Sequence, residues 1–131
     1  MQAVRLADVR AVVAPDGSQI RELVAVAQGS MVHCTLPQDA VSMAVVHATV
    51  DEAWYCLAGT GQVWRRREGT ESVLDVEAGI ALTIECGTHF QFRNKGDENL
   101  RFVIVTMPPW PGAEEARRVE DHWPTPRPHV V

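Results

Sequence analysis

Two stretches of the chain constrain it most. From His47 to Trp64 it reads HATVDEAWYCLAGTGQVW, and from Gly79 to Asn94 it reads GIALTIECGTHFQFRN. The first sets a histidine and an acidic pair before a strand-like run that ends in a Gly-Thr-Gly turn. The second is another strand pair, with a histidine at its own turn. Two polar clusters at the edges of two β-hairpins can converge in the mouth of a small barrel.

The rest of the chain agrees with a β architecture. Short apolar runs alternate with turn residues. Val9 to Ala14 ends at Pro15-Asp16-Gly17, a turn signature. Further runs span Gln19 to Ala27, Met31 to Leu36, Val41 to His47, Glu52 to Ala58 and Gln62 to Arg67. Ser72 to Val76, Ile80 to Glu85, Phe90 to Arg93 and the strongly apolar Leu100 to Met107 complete the series. About ten strands at this spacing predict an antiparallel sandwich or barrel. The one helical candidate is Ala113 to Asp121, where Glu114-Glu115 precede Arg117-Arg118 in a favourable dipole order. After Met107, the run Pro108-Pro109-Trp110-Pro111-Gly112 cannot extend a sheet, because proline lacks the ladder donor. Pro124, Pro126 and Pro128 then mark a tail that lies over a surface or stays disordered. The expected organisation is one domain, with N-terminal strands over 1–30, a barrel core over 31–107 and a Pro/Trp-rich extension over 108–131.

Composition narrows the function classes. A chain of 131 residues that is 46% apolar can bury one core. A net charge of -5 argues against nonspecific nucleic-acid binding. Arg65-Arg66-Arg67, followed at once by Glu68, reads as a solvated strand end. No apolar run has the length of a membrane span, and the N-terminus carries no secretory signal, so a cytoplasmic protein is expected. Three widely spaced cysteines read as reduced thiols. Cys56 reads as a core residue, and Cys86 as a structural one that could in principle be a ligand or nucleophile.

Alternate residues of a strand share a face. If Glu52 points inward, so do Trp54 and Cys56, while Ala53, Tyr55 and Leu57 point outward. A carboxyl beside an indole inside a barrel is partly desolvated, which raises its pKa and suits a general acid or base. His47, five residues earlier, can pair with Glu52 or share a metal with it. His89, from the second hairpin, would complete a triad of two histidines and a carboxylate. On that hairpin either Phe90 and Phe92 face inward or His89 and Gln91 do. Burying two rings is worth roughly 1.5–3 kcal/mol each, which favours inward phenylalanines unless a bulge at Gly87 re-aims the histidine. His33 reads as a surface histidine. Trp110 is the candidate lid over the barrel mouth, and Tyr55 and Trp64 on the outer face would suit a dimer.

These clusters resemble the paired motifs of the cupin superfamily, over about Met31 to Met107. In the first motif a His-x-His precedes a Glu that stands seven residues before a Gly. Glu52 and Gly59 match that spacing, and His47 matches the second histidine; Val45 replaces the first. In the second motif Gly79, Gly87 and Asn94 match, Glu85 replaces the proline, and the metal histidine falls on Phe90, one residue after His89. The resemblance implies a double-stranded β-helix, or jelly-roll barrel, assembled as a homodimer.

Three functions compete. The first is a small-molecule enzyme of cupin type, with proton transfer in an aromatic cavity: an isomerase, a dehydratase or a polyketide-cyclase-like enzyme. His47 and Glu52 would be its catalytic groups, and Trp54, Phe90, Phe92 and Gln91 would bind substrate. The second is a metal-dependent enzyme with His47, Glu52 and His89 holding Zn, Fe, Mn or Ni. The third is a small-molecule-binding protein without turnover. The expected partners are a small-molecule ligand and a second copy, with neither nucleic acid nor membrane.

Overall fold

The computed structural model describes residues 1–125. Its strands are β1 (Val12–Val13), β2 (Gln19–Val26), β3 (Gly29–Leu36), β4 (Val45–His47), β5 (Asp51–Ala58), β6 (Thr60–Arg67), β7 (Thr70–Glu77), β8 (Ala81–Ile84), β9 (His89–Asn94), β10 (Leu100–Met107) and β11 (Ala116–Arg118). They form two antiparallel sheets, in the orders β1-β2-β3-β10-β5-β8 and β11-β4-β9-β6-β7. From β3 to β6 and from β7 to β11 each strand passes to the other sheet, as in a jelly-roll barrel. Among the described residues no helix is long and apolar enough to cross a membrane. Pro126 and Pro128 lie outside the described residues.

The period-two pattern of β5 builds the core. Glu52, Trp54 and Cys56 are buried while Asp51, Ala53, Tyr55 and Leu57 are exposed. β10 runs antiparallel beside it, and its register sets Thr106 opposite Glu52, Ile104 opposite Trp54 and Phe102 opposite Cys56. From the facing sheet β9 contributes Phe90 and Phe92, both fully buried. Trp54 stands edge-on to Phe90 and Phe92, at centroid distances of 5.6 Å and 5.2 Å. These rings make the centre of the barrel.

The Gly-Thr-Gly turn between β5 and β6 is a close crossing. Gly59 has φ +84°, and a Cβ there would lie 2.6 Å from the carbonyl oxygen of Asn99. A Cβ on Gly61 would collide with the carbonyl oxygen of Arg93. Only glycine allows the backbones to approach this closely.

Several local expectations are corrected. The strand expected over Val9 to Ala14 is only two residues long. The one expected over Val41 to His47 shrinks to Val45–His47, with an isolated bridge at Val41. Backbone groups in between are taken by distant segments: Met43 N–H donates to the Asp16 carbonyl, and Ala44 N–H to Asp121 Oδ1. The helical candidate is a single 3-10 turn, Ala113–Glu115, followed by β11. Pairing with β4 outweighs a weak dipole order. His33 is buried at 6% exposure rather than on the surface. Trp64 is 3% exposed, because His122 of the same chain stacks on it at 5.0 Å, whereas Tyr55 is exposed.

Glu115 ties the C-terminal segment to the barrel. Its Oε1 accepts from Thr49 N–H at 2.6 Å, the Thr49 hydroxyl at 2.5 Å and Val50 N–H at 2.8 Å. Burial pushes its carboxyl up, but these hydrogen bonds outweigh burial, so its pKa lies below the ordinary 4.5. A lowered folded-state pKa gives stability that is present above the unfolded value and lost as pH falls through the folded one. Glu115→Ala is therefore expected to destabilise the fold by about 1–3 kcal/mol at neutral pH, because it leaves the buried Val50 N–H without its acceptor. The wild-type advantage should shrink in acid. Urea unfolding of both proteins at neutral and acid pH measures this; a pH-independent difference would show that the ionised carboxylate is not the acceptor.

Candidate functional site

A cavity of about 280 Å³ opens between the sheets, walled by Val45, Trp54, Phe90, Ile104 and Trp110 among others. Its polar groups gather from six elements, with Glu22 from β2. His47 comes from the end of β4, Glu52 from the start of β5, Thr106 from β10, Cys34 from β3, and Asp16 and Ser18 from the β1–β2 turn. The C-terminal segment closes one side through Trp110, Gly112 and Ala113.

Glu52 is held from two directions. Thr106 Oγ1 donates to Oε2 at 2.6 Å and Trp54 Nε1 donates to Oε1 at 3.1 Å. Burial dominates its acidity and raises its pKa to about 7, against the pull of those two donors; the nearby Asp16 and Glu115 charges push the same way as burial. His47 is 5% exposed. Burial lowers its pKa to about 4, with the Glu115 charge opposing. At neutral pH the imidazole is uncharged, so His47 and Glu52 are not an ion pair, although Nδ1 and Oε1 lie 3.7 Å apart. That separation exceeds a hydrogen bond. His47 Nδ1 is buried with no hydrogen-bond partner among the described residues. The ring is gripped edge-on by Phe90 at 5.1 Å and Trp110 at 5.2 Å.

The structure thus brings together His47, Glu52, Trp54 and Phe90 around one cavity, from both sheets, with Trp110 on a further side. It does not bring in the others. Phe92 is packed in the core against Trp54 and Phe102 and is not a cavity wall. Gln91 points to the opposite face, where its amide donates to the carbonyls of Ser42 and Trp123 and accepts from the N–H groups of His122 and Trp123. His89 also faces away, its Nδ1 3.1 Å from Arg66 Nη2. Ring burial decides this strand's orientation, so the triad of His47, Glu52 and His89 does not assemble. Cys86 lies outside the cavity, with its N–H donating to Asp51 Oδ1 at 2.7 Å.

A divalent metal does not fit the residues present. Catalytic zinc sites use three protein ligands. The cavity is lined by His47, Glu52, Asp16, Glu22 and Cys34, with Val45 and Phe90 filling two of the positions where the resemblance expects histidines. Among the described residues no three His, Cys, Asp or Glu side chains are arranged to hold a metal ion.

Asp16, Ser18 and Thr106 escaped the sequence reading. The Pro-Asp-Gly signature marked a turn but carried no information on which cavity the turn would face. Thr106 sat in an apolar strand, and only its register with Glu52 gives it a partner.

Among solved structures of similar fold, a polyketide cyclase, RemF, from Streptomyces resistomycificus is 20% identical, with a TM-score of 0.72 over 92% of this chain and 86% of that one. Oxalate decarboxylase from Bacillus subtilis is 19% identical, with a TM-score of 0.77 over 95% of this chain but 34% of that longer one. A predicted oxalate decarboxylase from Thermotoga maritima is 18% identical, with a TM-score of 0.66 over 81% of this chain and 98% of that one. At such identities the likeness shows the fold alone. No curated protein matches the sequence. The profile of the cupin domain matches residues 32–106, which include both hairpin motifs, and the chain belongs to the cupin family.

Proposed function

We propose that this cupin is a small-molecule enzyme that moves protons between carbon and oxygen, as in an isomerisation, a dehydration or an aldol-type cyclisation. The observation that carries the reading is the buried, unpartnered Nδ1 of His47, which faces the Glu52 carboxyl across 3.7 Å. An uncharged imidazole is a base and a carboxyl with a pKa of about 7 is an acid, in the same apolar chamber.

Each has a defined role. The neutral His47 imidazole takes a proton from a carbon next to a carbonyl, and the pair of electrons in that C–H bond forms the enol double bond. Glu52 gives its proton to the carbonyl oxygen. Return of a proton to another carbon isomerises the ligand; loss of a β-hydroxyl as water dehydrates it; attack of the enol carbon on a second carbonyl closes a ring. Thr106 and Trp54 fix the carboxyl plane, and the aromatic walls orient a flat ligand. The polyketide cyclase of like fold supports the cyclisation variant by analogy.

The test is deuterium incorporation at the α-carbons of β-tetralone in heavy water. The protein should accelerate exchange over buffer. The rate should rise with pH through about 4, as His47 loses its proton, and fall through about 7, as Glu52 loses its own. A bell between those limits is the expected profile. Saturable binding of β-tetralone with no acceleration at any pH would instead make the protein a binding module.

A further inference from the structure

We infer that Asp16 is a specificity-determining residue of the cavity, and that the ligand is an uncharged molecule with a flat apolar body and at least two hydroxyl groups, one of them donating to Asp16. This rests on the proposed cavity reading and deepens it.

The turn that carries Asp16 is fixed. Ala14 N–H donates to the Ser18 carbonyl at 2.8 Å, Gly17 N–H to the Ala14 carbonyl at 2.9 Å, and Met43 N–H to the Asp16 carbonyl at 2.8 Å. Asp16 Oδ1 accepts from Ser18 N–H at 2.9 Å and from the Ser18 hydroxyl at 2.6 Å. Oδ2 accepts from no described side chain or backbone group, although Asp16 lines the cavity. A turn aspartate needs only one oxygen for its turn. The second is left to a ligand.

The cavity as a whole is rich in acceptors. Among the described residues its titratable lining groups are Asp16, Glu22, Cys34, His47 and Glu52, with no lysine or arginine. The His47 ring is buried, and its Nδ1 makes no hydrogen bond to the described residues. Burial raises the pKa of both Asp16 and Glu52, so the chamber resists further negative charge. A carboxylate or phosphate ligand would enter without a counter-charge, at a large desolvation penalty. Hydroxyl donors suit Asp16 Oδ2 and an acceptor-rich lining. The volume of about 280 Å³ is just below the ~300–1,000 Å³ usual for ligand sites, which limits the ligand to one or two rings.

Calorimetric binding of a naphthalenediol, a naphthol and a naphthoate tests this. The diol should bind best and the naphthoate least. Asp16→Ala should weaken the diol about tenfold, down to the level of the naphthol, and leave the naphthol unchanged. Asp16→Asn keeps an oxygen for Ser18 but puts an amide donor where Oδ2 was. It should weaken the diol similarly and improve naphthoate binding, and because the turn survives it separates a ligand role from a folding defect. Equal losses for diol and naphthol would reduce Asp16 to a turn residue. Naphthoate binding as tight as the diol in the wild type, or no probe binding at all, would overturn the ligand class. A diol preference that persists in both Asp16 variants but vanishes in His47→Ala would sink the Asp16 inference alone. Indifference to both positions would sink the cavity reading with it.

Discussion

Trp54→Ala should destabilise the protein by about 3–5 kcal/mol, the range for removing a large aromatic from a packed core. Trp54 is 3% exposed and touches the rings of Phe90, Phe92 and Phe102, the last at 5.1 Å. Those three rings come from both sheets, so the indole is the main bridge between them. Edge-on aromatic pairs add ~0.5–1.5 kcal/mol beyond area burial. The Nε1–H bond to Glu52 is lost as well. Trp54→Phe separates the contributions, since it keeps most of the ring contacts and removes the donor. Its loss should be smaller, about 1–2 kcal/mol. It should also push the Glu52 carboxyl further up, because one of the bonds that lowers its pKa has gone. The shift in urea midpoint at constant slope reads both effects. A loss under about 2 kcal/mol for the alanine variant would mean that the surrounding rings collapse into the space.

His47→Ala should reduce the β-tetralone exchange rate by about 10²–10⁴-fold, the usual contribution of a positioned base. The fold should survive. His47 Nδ1 has no partner among the described residues, so its removal orphans none of their donors or acceptors. The variant enlarges an existing cavity between Phe90 and Trp110. Free imidazole should therefore enter and restore part of the rate, with the restored rate rising as imidazole is neutralised. The lower limb of the bell, near pH 4, should disappear in the variant, while the upper limb near 7 stays with Glu52. Wild-type rates in His47→Ala would remove the imidazole from the chemistry. Retention of the lower limb would assign it to another group.

How far the sequence was legible depends on whether neighbours along the chain decide a residue's position. The strand series was readable, because turn residues and β-branched runs act over a few positions. The inward set Glu52, Trp54 and Cys56 was readable for the same reason, since a period of two leaves only two faces. The Pro-Asp-Gly turn was readable as a turn. Its role in the cavity was not, since Met43 pins it from beyond two further strands. The C-terminal segment misled: Glu114-Glu115 before Arg117-Arg118 suggests a helix, and the structure uses Glu115 to hold Thr49 and Val50 instead. That acceptor lies 66 and 65 residues from its donors, and no local pattern encodes it.

By itself, then, the sequence determined a two-faced strand architecture with a histidine and a glutamate at the start of one hairpin, because side-chain alternation and turn chemistry are local. On the second hairpin alternation fits either sense, the cost of exposing two rings already favours Phe90 and Phe92 inward, and their packing against Trp54 turns His89 and Gln91 outward. Only the tertiary structure decided that no bulge at Gly87 re-aims His89. It also decided the site's membership, by closing two sheets and a C-terminal segment over Asp16, Thr106 and Trp110. Burial in that closed chamber is what moves His47 and Glu52 toward their neutral forms, and burial is a property of the assembled barrel.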